Sequence, residues 1–184
     1  MIYQIKVRLN DIRPPIWRRI QVRGNVTLYK LHTILQVVMD WGNYHLHEFE
    51  IEGHVYGPPQ DGFPDPLAFF DEPVNEKKVK LSELIREEKV KFLYTYDFGD
   101  DWRHELLVEK IMPAEKGKRY PVCVKGKRAC PPEDCGGVWG YYDLMEAREH
   151  PDDPQCQELL EWAGEFDPEE FDVGAINSYL KEMK

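Results

Sequence analysis

Apolar and polar residues alternate with a period of two along Tyr3, Ile5, Val7 and Leu9, with Gln4, Lys6 and Arg8 between them. The alternation returns at Val90, Phe92, Tyr94 and Tyr96, and again at His104, Leu106 and Val108. Successive side chains of a strand point to opposite faces, so the pattern demands a sheet with one covered face and one wet one. Asn10-Asp11-Ile12-Arg13-Pro14-Pro15 turns the first strand into a second at 16–23, giving a hairpin whose outer face, with Arg19, Gln21 and Arg23, is basic. Asp97-Phe98-Gly99-Asp100-Asp101 does the same between 90–96 and a strand near 102–111.

Helical spacing appears apart from these strands. Leu28, Leu31, Ile34, Leu35 and Val38 follow an expected Thr27 N-cap, and Gly42 is the expected stop. A short helix is expected at 81–86, and further helices at about 141–149, 155–163 and on to Leu180. Strands and helices are thus segregated rather than alternated, which predicts an α+β fold with a mainly antiparallel sheet and C-terminal helices packed on it. The 184 residues fit a single domain, 1–184, with an acidic helical part from about 140.

Between the first helix and the middle strands, His45, His47, Phe49 and Ile51 read as one face of a strand, with a short return strand at 54–56. Residues 57–76 hold Pro58, Pro59, Pro64, Pro66 and Pro73, which no regular element survives, so a long ordered loop or lid is expected there. A short strand is expected at 120–124 before the Pro131-Pro132 break.

The net charge of −10 is carried entirely by residues 93–184, because residues 1–92 hold 13 basic and 13 acidic groups. Two basic islands lie at 1–30 and 116–128, while 131–172 has 14 acids against Arg148. Such polarity predicts that acidic and basic parts face each other within one fold or across a dimer, or steer a partner. No apolar run approaches the length of a membrane span, and the opening residues read as a strand rather than a signal sequence, so a cytoplasmic protein without membrane contact is expected.

Three constellations could carry chemistry. His45 and His47 share a strand face, and His104 begins another strand beside Asp97, Asp100 and Trp102. If these six residues line one cleft, it would bind a ligand, and the three histidines with Asp97 or Asp100 could hold zinc or another divalent metal that activates water. Cys123, Cys130 and Cys135 are a second candidate metal set; free thiols, or a Cys123–Cys130 disulfide across a Lys125-Gly126-Lys127-Arg128 turn, are the alternatives, and the paired two-residue spacing of zinc ribbons is absent from these three and Cys156. Arg18, Arg19, Lys125, Lys127 and Arg128, with Trp17, Tyr29 and Tyr120 nearby, form a candidate nucleic-acid surface that the acidic pI of about 5.1 disfavours. Familiar strings elsewhere are decoys. Asp97-Phe98-Gly99 lacks every other kinase element, His104-Glu105 has Val108 where a zincin needs histidine, and the helix before His150-Pro151-Asp152 is acidic.

Four strings in order resemble one family: Arg13-Pro14-Pro15-Ile16-Trp17-Arg18-Arg19, the helix from Leu28 to Trp41 followed by His45-Leu46-His47-Glu48-Phe49, the run from Tyr94 to His104, and Cys130-Pro131-Pro132-Glu133-Asp134-Cys135-Gly136-Gly137. Together they are similar to the plasmid pRiA4b ORF-3-like family, which includes TnpR-type passenger proteins of mobile elements. The resemblance implies an α+β roll and brings no enzymatic activity or cofactor with it. The expectation is therefore a non-enzymatic binding or accessory module, with a protein partner or a second copy as candidate partners. A metal-dependent hydrolase or nuclease is the alternative, and nucleic-acid association of mobile-element origin a weaker one.

Overall fold

The computed structural model describes residues 1–59 and 73–183, so most of the proline-rich segment expected as a loop or lid, including Pro64 and Pro66, lies outside the described residues. Among the described residues eight strands form a single sheet: β1 (Ile2–Leu9), β2 (Trp17–Arg23), β3 (His47–Ile51), β4 (His54–Gly57), β5 (Val74–Asn75), β6 (Lys91–Tyr96), β7 (Trp102–Met112) and β8 (Val122–Lys127). Their order is β5-β4-β3-β6-β7-β1-β2-β8, and every pairing is antiparallel except β4 with β5. With five α-helices beside this sheet among the described residues, the fold is α+β.

Helix α1 (Leu28–Met39) lies on the sheet and shows why its sequence folds as it does. Thr27 is extended and its hydroxyl accepts from the Lys30 amide at 3.1 Å, so one orphan donor of the first turn is satisfied. Leu28, Leu31, Ile34, Leu35 and Val38 are all fully buried. The helix ends earlier than its sequence suggests. Asp40, at φ 61°, is the left-handed terminator, a conformation that aspartate tolerates. Gly42 has another use: a Cβ there would stand 2.3 Å from the Tyr44 ring, so glycine lets that ring fold back over the loop.

Helix α2 (Leu81–Leu84) is shorter than its pattern predicts. The C-terminal helices are α3 (Gly137–Glu149), α4 (Pro154–Ala163) and α5 (Val173–Glu182). Helix α3 sends Tyr141, Leu144 and Ala147 inward, α5 sends Leu180, and α4 buries none of its residues and rests against α3. A single hydrophobic cluster runs from Tyr3 through α1 and the central strands to Leu180.

One local expectation fails. The segment around Lys125 is no hairpin turn, because Val122–Lys127 is an uninterrupted edge strand that pairs with β2, including Ile20 with Cys123. All four cysteines are free thiols, so the Cys123–Cys130 disulfide does not form.

Candidate functional site

The three histidines expected to meet do not. Strand β6 stops at Tyr96, and Asp97 turns away at φ 59°, so β3 finds a partner from His47 onward and His45 has none. His45 therefore sits in the preceding loop, whose backbone is drawn toward the Tyr96 hydroxyl by the amides of Tyr44 (3.0 Å) and His45 (3.4 Å). His47 points into the protein instead. Its Nε2 lies 2.9 Å from Glu76, a carboxylate with no exposed surface. His104 is also wholly buried, with Nδ1 against the Tyr94 carbonyl at 3.2 Å and its ring edge-on to Trp41. Burial pushes the His104 imidazole down to about 4, which suits a neutral core histidine. Trp102 is 1% exposed and stacks on Trp41, so it lines no cleft.

A polar ring that the sequence reading missed lies beneath these residues. His32 stacks on His47 with ring centroids 3.4 Å apart and planes 2° from parallel. Gln36 donates to the Tyr94 hydroxyl (2.9 Å), which lies 2.8 Å from His32 Nδ1. His32 Nε2 lies 2.7 Å from the Asn43 side-chain oxygen, and the Asn43 amide donates to Gln36 at 3.0 Å. The ring closes if each group donates once: Gln36 to Tyr94, Tyr94 to His32, His32 to Asn43, Asn43 to Gln36. That direction requires neutral His32, and burial first, then electrostatic interaction with His47, push its imidazole down to about 3. The available sequence signal was His32 and Gln36, four apart on an otherwise apolar helix.

What does converge is smaller and nearer the surface. His45 Nε2 lies 3.1 Å from Asp134 Oδ1 and 3.6 Å from Asp97 Oδ2, and the three donor atoms lie within 4.8 Å of one another. Among the described residues this is the one group of three or more metal-ligating side chains so placed. Ligands about 2.1 Å from a common cation sit roughly 3 to 3.5 Å apart, so small side-chain movements would close the site.

Three elements deliver these donors, and each is held. Asp97 Oδ1 accepts from the Gly99 amide (2.9 Å) and the Asp100 amide (3.4 Å), which leaves Oδ2 facing His45. Asp100 stays outside the group but fixes the third element, since its Oδ2 accepts from the Gly136 amide at 3.2 Å. Gly137, at φ 69°, allows that approach, because a Cβ there would stand 2.5 Å from the Asp100 carbonyl oxygen. Glu133, beside Asp134, accepts from the Tyr96 hydroxyl at 2.5 Å and from the Gly42 amide at 2.7 Å. Burial and Glu133 together push the Tyr96 phenol up, so it remains a donor at neutral pH. No local spacing marks Asp134 as a donor, because its partners are distant in sequence and the run Cys130 to Gly137 carries its visible metal-binding signal in thiols.

The cysteines do not gather. Cys130 touches Arg18 Nη2 (3.2 Å) and Met39 Sδ (3.6 Å), Cys123 faces the Lys125 carbonyl, and Cys135 the Gly137 carbonyl. Burial pushes Cys123 up to about 11 and Cys135 up to about 12, so both are protonated thiols at neutral pH.

The basic surface is likewise thinner than its sequence suggests. Arg18 is 2% exposed, and Arg128 is buried against the Pro14 carbonyl and Glu169. Arg19 is ion-paired to Glu109 at 2.6 Å. Lys125 and Lys127 stay exposed.

Comparison with known proteins agrees with this fold. Residues 1–175 match the family described as plasmid pRiA4b ORF-3-like protein. A curated relative, the uncharacterized protein y4hQ of Sinorhizobium fredii (strain NBRC 101917 / NGR234), is 35% identical over 177 residues, covering 96% of this chain and 86% of its own length. The crystal structure of a protein of unknown function, MM3350 from Methanosarcina mazei Go1, superposes with a TM-score of 0.82 at 42% identity, covering 94% of this chain and 95% of that one.

Proposed function

Because the chain belongs to the plasmid pRiA4b ORF-3-like family, whose relatives compared above are of unknown function, we propose from its own geometry that it is a single-domain binding module built around one divalent cation. The convergence of His45, Asp97 and Asp134 from three separate segments carries this reading. One imidazole and two carboxylates form a mixed nitrogen and oxygen set suited to zinc, manganese or iron. The surroundings favour binding. Tyr44 and Leu46 flank His45, Phe98 follows Asp97, and Trp139 lies five residues beyond Asp134; all four are exposed, Trp139 at 81% and Tyr44 at 80%. Large aromatic side chains are what partner surfaces are enriched in, and an exposed apolar group beside a charged donor set gives a partner both.

A second reading, a metal-dependent hydrolase, draws on the same donors. Three protein ligands with Asp134 largely exposed would leave positions for water on a bound cation. The nucleic-acid reading has less behind it, since Arg18 and Arg128 are buried and Arg19 is paired. Among the described residues no helix is long and apolar enough to cross a membrane. The cytoplasm is the compartment this reading assigns, and four free thiols agree with it.

Titration of zinc and manganese into metal-stripped protein tests the reading. One equivalent should bind, and His45→Ala or Asp134→Asn should abolish it. Binding by wild type with no turnover of a generic phosphodiester supports the module. Metal-dependent turnover that both substitutions remove supports the hydrolase. Absence of binding sinks both.

A further inference from the structure

A separate cleft of about 390 Å³ lies between the C-terminal end of α1, the segment 129–133 and α5. Met39, Trp41, Phe166, Phe171, Ile176 and Tyr179 give it apolar and aromatic walls. Its rim is acidic, with Asp40, Glu165, Asp167, Glu170 and Asp172, and Glu133 also borders it.

Among the described residues Arg18 is the one basic residue lining the cleft, and its donors are engaged within the protein. Its Nε donates to the Val38 carbonyl (2.7 Å), Nη1 to the Trp17 and Lys127 carbonyls, and Nη2 meets Cys130, while the guanidinium lies 4.7 Å from the Phe171 ring centre. The end of α1 adds partial negative charge, and no basic residue occupies its last turn.

The charge pattern of the whole chain points the same way. The acidic stretch 131–172 was expected to face the basic islands, yet among the described ion pairs Arg128–Glu169 is the one that joins them. Asp40, Glu165 and Glu170 enter none of the described ion pairs.

We propose that this cleft binds an organic cation: an ammonium group on an apolar stem, with the size and charge of an aliphatic polyamine. The volume fits a small ligand rather than a folded surface. Carboxylates on the rim pair the ammonium, and the aromatic walls accept both the methylene stem and the cation itself. Anions are repelled, and a strongly hydrated metal ion gains nothing from the apolar floor. None of His45, Asp97 and Asp134 lines this cleft, although Glu133 on its border is the neighbour of Asp134.

Spermidine is the probe, titrated into the full chain at low salt, with intrinsic tryptophan fluorescence and calorimetry as readouts. One saturable site is expected, weakened several-fold when salt rises from about 50 to about 300 mM. Asp40→Asn combined with Glu170→Gln should lower affinity about tenfold. Both positions are exposed and asparagine tolerates the left-handed conformation, so circular dichroism and melting temperature should not change. Asp134→Asn should leave spermidine binding intact. Absence of saturation overturns the assignment, as does affinity indifferent to the double substitution. Equal displacement by magnesium at matched charge also overturns it, reducing the effect to diffuse screening. A lysine-rich peptide that binds the cleft a hundredfold more tightly than spermidine would replace the small cation with a segment of a partner protein.

Discussion

His32 and His47 lie face to face, yet each answers to a different partner. His47 faces Glu76, whose second carboxylate oxygen has no partner among the described residues. Truncating the imidazole would strand a buried carboxylate. His47→Ala is therefore expected to cost about 3 kcal/mol in chemical denaturation, whereas half-buried His45→Ala should stay within about 0.5 kcal/mol. Equal costs would contradict the separation of the two histidines.

His32 gives a pH signature. Its folded value of about 3 lies below the ordinary 6.5, so below pH 6.5 the unfolded chain takes up a proton that the native ring refuses. Its contribution is fully present above pH 6.5 and is lost as pH falls toward 3, by up to about 1.4 kcal/mol per unit. His104, at about 4, adds a parallel loss over a narrower window. Stability of His32→Gln measured between pH 7 and 4 should fall less steeply than wild type. An unchanged slope would place the titration elsewhere.

Helix α5 guards an exposed edge. Strand β8 ends the sheet, and unpaired edge groups invite another chain. The Asn177 side chain supplies what a ninth strand would: its oxygen accepts from the Cys123 amide and its nitrogen donates to the Cys123 carbonyl, both at 2.8 Å. Asn177→Ala should cost about 1 to 2 kcal/mol by thermal or chemical unfolding. Light scattering should detect self-association that wild type lacks. A silent substitution would mean that water serves the edge equally well.

Elements of this kind mark where the sequence is legible. Alternation along Tyr3–Leu9 and 90–96 places strands because one face is buried, and Thr27 places the start of α1 because a cap is a local bond. The site is less legible. His45 and Asp97 carry the right chemistry in the chain, but only the early end of β6 separates His45 from His47. Asp134 joins through Asp100, Gly136 and Gly137, a contact between distant segments that no local spacing encodes. His104 fails as a ligand for the same reason that its strand was easy to read: it lies on the strand's buried face.

At the scale of the whole molecule, charge and chemistry divide the surface. One sheet and one core carry the proposed cation donors at the loop before β3, the 97–101 turn and the run into α3. The acidic cleft lies against the C-terminal end of α1 and α5, on the other side of the segment 129–133. Glu133 borders both, bonded to Tyr96 and Gly42 while its segment lines the cleft. The account rests most on the cation. The most direct test is calorimetric titration of metal-stripped protein with zinc, run beside His45→Ala, Asp134→Asn and the exposed control Asp101→Asn. The account predicts one equivalent bound by wild type and by the control, and none by the other two. Zinc that fails to bind, or that binds undiminished without His45 and Asp134, would contradict it.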